Sequence, residues 1–294
     1  MRIASVDGRL CLVTPGGYLD VANSSNGRFD ADPQAVYERW HEFTDWARSY
    51  PPERGVPVRG ELGPPVPRPA QVFGIGLNYA DHAGEAALEI PAAPLVFAKF
   101  PSCVSGPSED LRITADTIDW EVELVVVIGT HCSLVSARDA WEVVAGLTVG
   151  QDISDRQLQW SGGATPQFSL GKSGPGFGPV GPALVTPDEL ADPNDLAIEC
   201  RLNGELVQSS RTSNLIFDVP ALIEYLSSLV TLLPGDLIFT GTPSGVGMAR
   251  TPQRYLHDGD ELASSIEGVG EFTIRISAAT DPRQASTEHR MTTR

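Results

Sequence analysis

The chain is short of positive charge. It carries 21 Lys and Arg against 38 Asp and Glu, a formal net charge of −17. Nucleic-acid binding needs clustered Lys and Arg to neutralise phosphates, so the balance argues against it, and equally against an anionic membrane surface. No apolar run approaches the ~18 residues that a bilayer-spanning helix requires. The opening MRIASVDGRLCLV has no basic segment leading into a sustained apolar core, so no secretory leader is expected. Paired cysteines are missing too. Cys11, Cys103, Cys132 and Cys200 lie far apart, with no CxxC pair and no Cys–His spacing suited to zinc. They read as reduced, partly buried thiols of a cytoplasmic protein. What remains is a globular composition, 41% hydrophobic and 20% charged over 294 residues. That length supports one large domain, alone or with a small companion. So acidic a chain can still take an anionic substrate if a local cation, such as a metal ion, offsets the field.

The organisation changes along the chain. Residues 1–24 read as short strands joined by turns, one at Pro15-Gly16-Gly17. Residues 33–48 predict an amphipathic helix whose Tyr37, Trp40, Phe43 and Trp46 recur at helical spacing, a stripe suited to packing. The proline-rich stretch 51–69 marks a boundary. We expect a small N-terminal α+β accessory domain over 1–60, a catalytic domain over 61–278, and a disordered polar tail over 279–294. Within 61–278, apolar runs such as VFGIG, ELVVVIG and DLIFTG are split by Gly and Pro and predict many short strands. One helix is predicted over 218–231, with Asp218 as its cap and Pro220 in its first turn.

Two nucleotide-binding patterns fail. Gly176-Phe177-Gly178-Pro179-Val180-Gly181 fits GxGxxG, but Pro179 and Pro182 prevent the helix that such a fingerprint must open. Gly171-Lys172-Ser173 looks like the end of a phosphate loop, but Pro166 stands where that loop needs glycine. A nicotinamide-dependent enzyme is therefore disfavoured.

Four segments carry chemistry. In Trp120-Glu121-Val122-Glu123-Leu124, strand alternation turns Glu121 and Glu123 to one face. Two adjacent carboxylates at the mouth of a buried strand call for a cation or a proton, and two solvated glutamates are the competing reading. Asp152 ends the run LTVGQD, where it either joins those glutamates or caps a turn carrying Arg156 and Gln159. His82 and Glu85 would share a helix face, where a carboxylate raises imidazole basicity and makes a general base, or else form a surface pair. Lys172, Thr240 and Thr242 could surround an anion through ammonium, hydroxyl and backbone donors, or be ordinary solvated and turn residues.

Together these segments resemble the fumarylacetoacetate hydrolase superfamily, in its acylpyruvate hydrolase and 2-hydroxyhepta-2,4-diene-1,7-dioate isomerase-like branch. The matching pieces occur in the family's order over roughly 65–276: IGLNYADHAGE, PLVFAKF, IDWEVELVVVIG, LTVGQDISDRQLQ, GKSGPGFGPVGP, NGELVQSSRTSNLIF, LLPGDLIFTGTPSGVG and LHDGDELASSIEGVGEF. The resemblance implies an α+β fold with a mixed β-sandwich roll, and a homodimer. It implies Mg²⁺ or Mn²⁺, with Ca²⁺ as an alternative, held by Glu121, Glu123 and Asp152. Hard oxygen donors suit those ions. It implies His82 and Glu85 as a base pair on a segment that orders over substrate, with Lys172 as a third catalytic group. Tyr79, Arg156, Gln159, Thr240 and Thr242 are then placed around a small anionic 2-oxo acid. One departure stands out: Gly174-Pro175 follows Lys172-Ser173 where many members carry Lys-Ser-x-Asp.

The activity so implied is hydrolysis of a C–C bond in an acylpyruvate or related 2,4-dioxo acid, as in aromatic catabolism. It runs through an enolate whose charge the ion and Lys172 stabilise. Oxaloacetate decarboxylation and the hydration or isomerisation of a 2-oxo-enoate diacid are alternatives at the same centre. A non-catalytic metal-binding protein is the alternative of a different class.

Overall fold

In the computed structural model of the chain, residues 1–50, 57–81 and 90–278 are described. The expected tail and the His82–Glu85 pair fall outside them. The strands used below are β1 (Arg2–Val6), β2 (Arg9–Thr14), β3 (Gly17–Asp20), β4 (Val72–Gly76), β5 (Leu95–Ala98), β6 (Val122–Ile128) and β7 (Val144–Gln151). They continue with β8 (Gly178–Val185), β9 (Ala197–Leu202), β10 (Glu205–Arg211), β11 (Leu237–Phe239), β12 (Glu261–Ile266) and β13 (Gly270–Ala278). The helices used below are α1 (Trp40–Ser49), α2 (Arg156–Gln159), α3 (Phe168–Gly171) and α4 (Val219–Leu229).

The fold is α+β, built on open mixed sheets. The large sheet runs β3-β2-β1-β8-β7-β6-β11-β4-β5, and the second runs β10-β9-β12-β13 and ends on Leu111–Ile113. β6 pairs antiparallel with β7 and β11, while β11 pairs parallel with β4. The N-terminal strands extend the large sheet directly, since Ile3 of β1 stands opposite Leu184 of β8.

β6 explains the layering. Every residue in it is buried. Leu124, Val126 and Ile128 join a core completed by the second sheet and by Leu222, Ile223 and Leu226 of α4. Val125 and Val127 point the other way, into a core shared with Phe239, Tyr37, Trp40 and Phe43. A strand buried on both faces reads as an unbroken apolar run, as this one does. Full burial of each large apolar side chain contributes about 1.5–3 kcal/mol.

The predicted helix over 218–231 is α4, and Asp218 caps it by accepting from the Ala221 N–H at 2.9 Å. The predicted helix over 33–48 differs at its start. Residues Ala35–Arg39 form a tight 3₁₀ turn, and the α-helix begins only at Trp40. The aromatic stripe is still a packing surface, with Tyr37 stacked on Trp40 at 5.5 Å between ring centroids. Among the described residues, no helix is long and apolar enough to cross a membrane.

Candidate active site

The site lies where the β6–β7 ladder ends. Glu123 stands opposite Gly150, and the ladder continues one step further, with the Asp152 N–H donating to the Glu121 carbonyl at 2.9 Å. Beyond that step β6 has no strand partner for the N–H groups of Glu121 and Val122. Two buried side-chain amides take them, Gln151 Oε1 at 2.9 Å and Gln208 Oε1 at 3.0 Å. Unpaired buried N–H groups are costly, so these amides hold the strand end in shape. Trp120, Val122 and Leu124 pack into the core, as alternation predicts, and Glu121 and Glu123 face away from it.

Glu121, Glu123 and Asp152 are all buried, each with a carboxylate oxygen within 4.8 Å of the others'. Asp152 does not cap the following turn. Asp155 does so, accepting from the Leu158 N–H at 3.1 Å. Asp152 is instead held by two ammonium groups. Lys172 Nζ bridges Asp152 Oδ2 at 2.6 Å and Glu121 Oε2 at 2.7 Å. Lys99 Nζ reaches Asp152 Oδ1 at 2.6 Å and the Phe177 carbonyl at 3.1 Å, and also donates to the Lys172 carbonyl.

Arg156 closes the other side. Its Nε donates to Asp119 Oδ2 at 2.8 Å, and its Nη1 lies 2.7 Å from Glu121 Oε1 and 3.0 Å from Gln159 Oε1. Its Nη2 has no hydrogen-bond partner among the described residues. Asp119 also accepts the N–H groups of Gly247 and Met248, at 2.7 and 3.0 Å, so one buried carboxylate ties Arg156 to the 245–250 loop.

Burial pushes the Glu123 carboxyl well above its ordinary range, and the charges of Asp152 and Glu121 add to that. Lys172 and the Gly241 N–H, which donates to Glu123 at 2.7 Å, act in the opposite sense. Burial works against the Lys172 ammonium, but Asp152 and Glu121 outweigh it and hold it protonated. Burial, with Glu123 and Asp81, likewise pushes the Tyr79 hydroxyl upward.

These groups open on a cavity of about 380 Å³. Glu121, Arg156, Gln159, Lys172 and Thr242 line it, so the fold gathers five of the residues singled out in the sequence. The Thr242 hydroxyl is bonded to the Val122 carbonyl at 2.9 Å and to Gln208 at 2.8 Å. Thr240 is committed to the sheet, with its hydroxyl on the Leu124 carbonyl at 2.9 Å. Tyr79 is fully buried, and its hydroxyl has no partner among the described residues.

Lys99 and Asp119 lie within the matching pieces PLVFAKF and IDWEVELVVVIG, but the sequence alone assigns them no role in the site. Lys99 has a signal all the same: the chain contains only two lysines, Lys99 and Lys172, and both are buried here. Lysine is almost never buried without a charge partner, so a chain that spends its only lysines in its interior marks an acidic site.

The donor set fits a divalent cation. Metal–oxygen bonds of roughly 2.0–2.6 Å allow ligand oxygens about 4–5 Å apart to share one ion. The three carboxylate oxygens satisfy that spacing. An ion there would relieve the repulsion that adds to burial in raising Glu123.

Fold and site thus define a protein with a buried carboxylate centre feeding a largely apolar pocket. Residues 71–277 match the family model for the fumarylacetoacetate (FAA) hydrolase C-terminal domain. The chain belongs to that family and is an enzyme of it. It is 47% identical over 214 residues to the oxaloacetate tautomerase Fahd2a, mitochondrial, of Rattus norvegicus, covering 72% of this chain and 68% of the relative. The crystal structure of an HpcE-like protein from Mycobacterium smegmatis superposes with a TM-score of 0.92 at 54% identity, covering 95% of this chain and 100% of that one. A maleylpyruvate hydrolase from Sphingobium, solved with manganese(II) and pyruvate, gives 0.76 at 26% identity, with coverage of 95% and 100%.

Proposed function

We propose that this enzyme hydrolyses the C–C bond of acylpyruvates or related 2,4-dioxo acids, using a divalent cation, Mg²⁺ or Mn²⁺, held by Glu121, Glu123 and Asp152. The observation that carries this reading is the buried triad, whose Glu121 lines a cavity of about 380 Å³, ample for a 2-oxo acid head with an acyl extension. The structure of the maleylpyruvate hydrolase with manganese and pyruvate supports it by analogy. A bound cation supplies positive charge to the oxygens of the 2-oxo acid.

The protein's own groups do the rest. Arg156 Nη2, without a partner among the described residues, offers a charge-assisted donor to the substrate carboxylate, and Asp119 fixes its direction. Lys172, which lines the same cavity, is assigned the stabilisation of charge on the departing pyruvate unit. His82, oriented by Glu85, takes a proton from water. Hydroxide adds to the remote carbonyl, and the C–C bond breaks. The electron pair passes to the pyruvate carbon, which then takes a proton, so the products are a carboxylic acid and pyruvate.

A second reading, proton transfer on oxaloacetate, is favoured by the relatives named as its tautomerases. A homodimer is part of the proposal, supported by the exposed apolar residues Leu95, Phe100, Leu158 and Leu170 around β5, α2 and α3. So is a reducing compartment, taken as the cytoplasm, supported by four free cysteines; the rat relative is mitochondrial by name.

The test is to incubate metal-loaded protein with acetylpyruvate, fumarylpyruvate and oxaloacetate, with and without EDTA, and identify the products. Glu121→Ala and Asp152→Ala should abolish metal binding and turnover, whereas His82→Ala should keep the metal and lose the rate. Full activity in His82→Ala would refute the base assignment. Turnover of oxaloacetate alone would favour the second reading.

A further inference from the structure

We propose that this chain prefers 2-oxo acids whose far end is an apolar alkyl or aryl group over those ending in a second carboxylate. The inference rests on the 2-oxo acid reading above and adds the class of substrate tail.

Charge is confined to one end of the cavity. Lys172 is bound to Glu121 and Asp152, and Arg156 to Asp119 and Glu121. This leaves Arg156 Nη2 as the guanidinium nitrogen without a partner among the described residues, while Glu121 and Asp152 take two of the three Lys172 N–H groups. That one unpartnered nitrogen, buried at this end of the cavity, suits one carboxylate.

From Lys172 outward the wall is aromatic. Lys172 Nζ lies 5.2 Å from the Phe97 ring centroid. Phe97 meets Phe168 at 5.9 Å, and Phe168 meets Trp160 at 5.2 Å. Exposure rises along this ladder, from 9% at Phe97 to 41% at Trp160, so it leads from the carboxylates to the mouth. Val246 and Met248 line the same cavity. The unbranched thioether of Met248 can adapt to tails of different shape.

Among the described residues, the cavity lining holds no Lys or Arg besides Lys172 and Arg156. A carboxylate on the tail would therefore lose hydration without gaining a Lys or Arg partner among the described residues, whereas an apolar tail gains contact with the ring faces.

The experiment measures binding, apart from turnover. Dissociation constants of Mg²⁺-loaded protein are measured by calorimetry for two non-cleavable ligands, 2-oxo-5-phenylpentanoate and the diacid 2-oxoadipate. The phenyl ligand should bind at least roughly tenfold more tightly, the scale on which apolar pockets discriminate. Trp160→Ala should shrink that ratio, and Met248→Arg should move it toward the diacid. Equal or tighter binding of 2-oxoadipate by the parent protein would overturn the proposal. In parallel, 4-phenyl-2,4-dioxobutanoate is incubated with the enzyme and assayed for benzoate and pyruvate, the two products of adding one water. Phenyl-selective binding without cleavage would refute hydrolysis and uphold the tail preference. Cleavage together with diacid-selective binding would refute the tail preference alone.

Discussion

Replacing Lys99 with Met should uncover how much of this protein's stability depends on neutralising its own active-site acid. Methionine keeps most of the buried stem's volume and can still rest on Phe239, whose ring centroid lies 5.5 Å from Lys99 Nζ. The change therefore removes charge more than packing. It leaves Asp152 Oδ1 and the Phe177 carbonyl without the donor that now sits 2.6 and 3.1 Å away. Removing one partner of a buried ion pair typically costs about 3–5 kcal/mol, because the remaining charge has no water to turn to. For a chain of this size each kcal/mol lowers Tm by roughly 2–4 °C, so the variant in EDTA should melt about 6–20 °C below the parent. A divalent cation should restore much of the loss. With Lys99 gone, Lys172 alone among the described residues still bonds to the Asp152 carboxylate, so an ion has more negative charge to neutralise. The assay is thermal unfolding of both proteins in EDTA and in Mg²⁺. Melting within about 2 °C of the parent in EDTA, on the same scale, would refute the claim that Lys99 compensates a buried carboxylate.

Two other changes probe the same centre. Because Glu123 is raised in the folded state, the unfolded chain ionises first, near the ordinary value of 4.5, while the native state keeps its proton. Metal-free stability should then fall as pH rises above 4.5 toward the folded value, and Glu123→Gln should flatten that slope. Urea unfolding in EDTA at pH 5 and pH 8 checks this, and parallel pH profiles would contradict it. Gly241 sits at φ +102°, where a Cβ would meet Asn78 Cβ at 2.7 Å and the Ile75 carbonyl at 3.1 Å. Gly241→Ala should cost about 1–3 kcal/mol. It should also weaken metal binding by displacing the N–H that holds Glu123, and unchanged Tm and metal affinity would count against this.

Several parts of this architecture are legible in the amino-acid sequence. Alternation alone puts Glu121 and Glu123 on one face, since successive strand residues point oppositely whatever the fold. The run Val122–Ile128 announces burial on both faces, and Asp218 with Pro220 announces a helix start, because caps and first-turn prolines act over three or four residues. The 33–48 segment is harder, because an apolar stripe of similar spacing fits both a 3₁₀ turn and an α-helix.

The sequence by itself determined which side chains each strand and helix end presents, because those choices rest on local geometry. Only the tertiary structure decided which of them meet. Lys99 reaches Asp152 across 53 residues, and Asp119 reaches Arg156 across 37. Such contacts follow from sheet register and the approach of separate loops, for which no local period exists. The same convergence leaves Arg156 Nη2 without a partner among the described residues, in a cavity that Phe97, Trp160 and Phe168 also line. Burial turns these meetings into chemistry, since a charge withdrawn from water must find its partner within the protein.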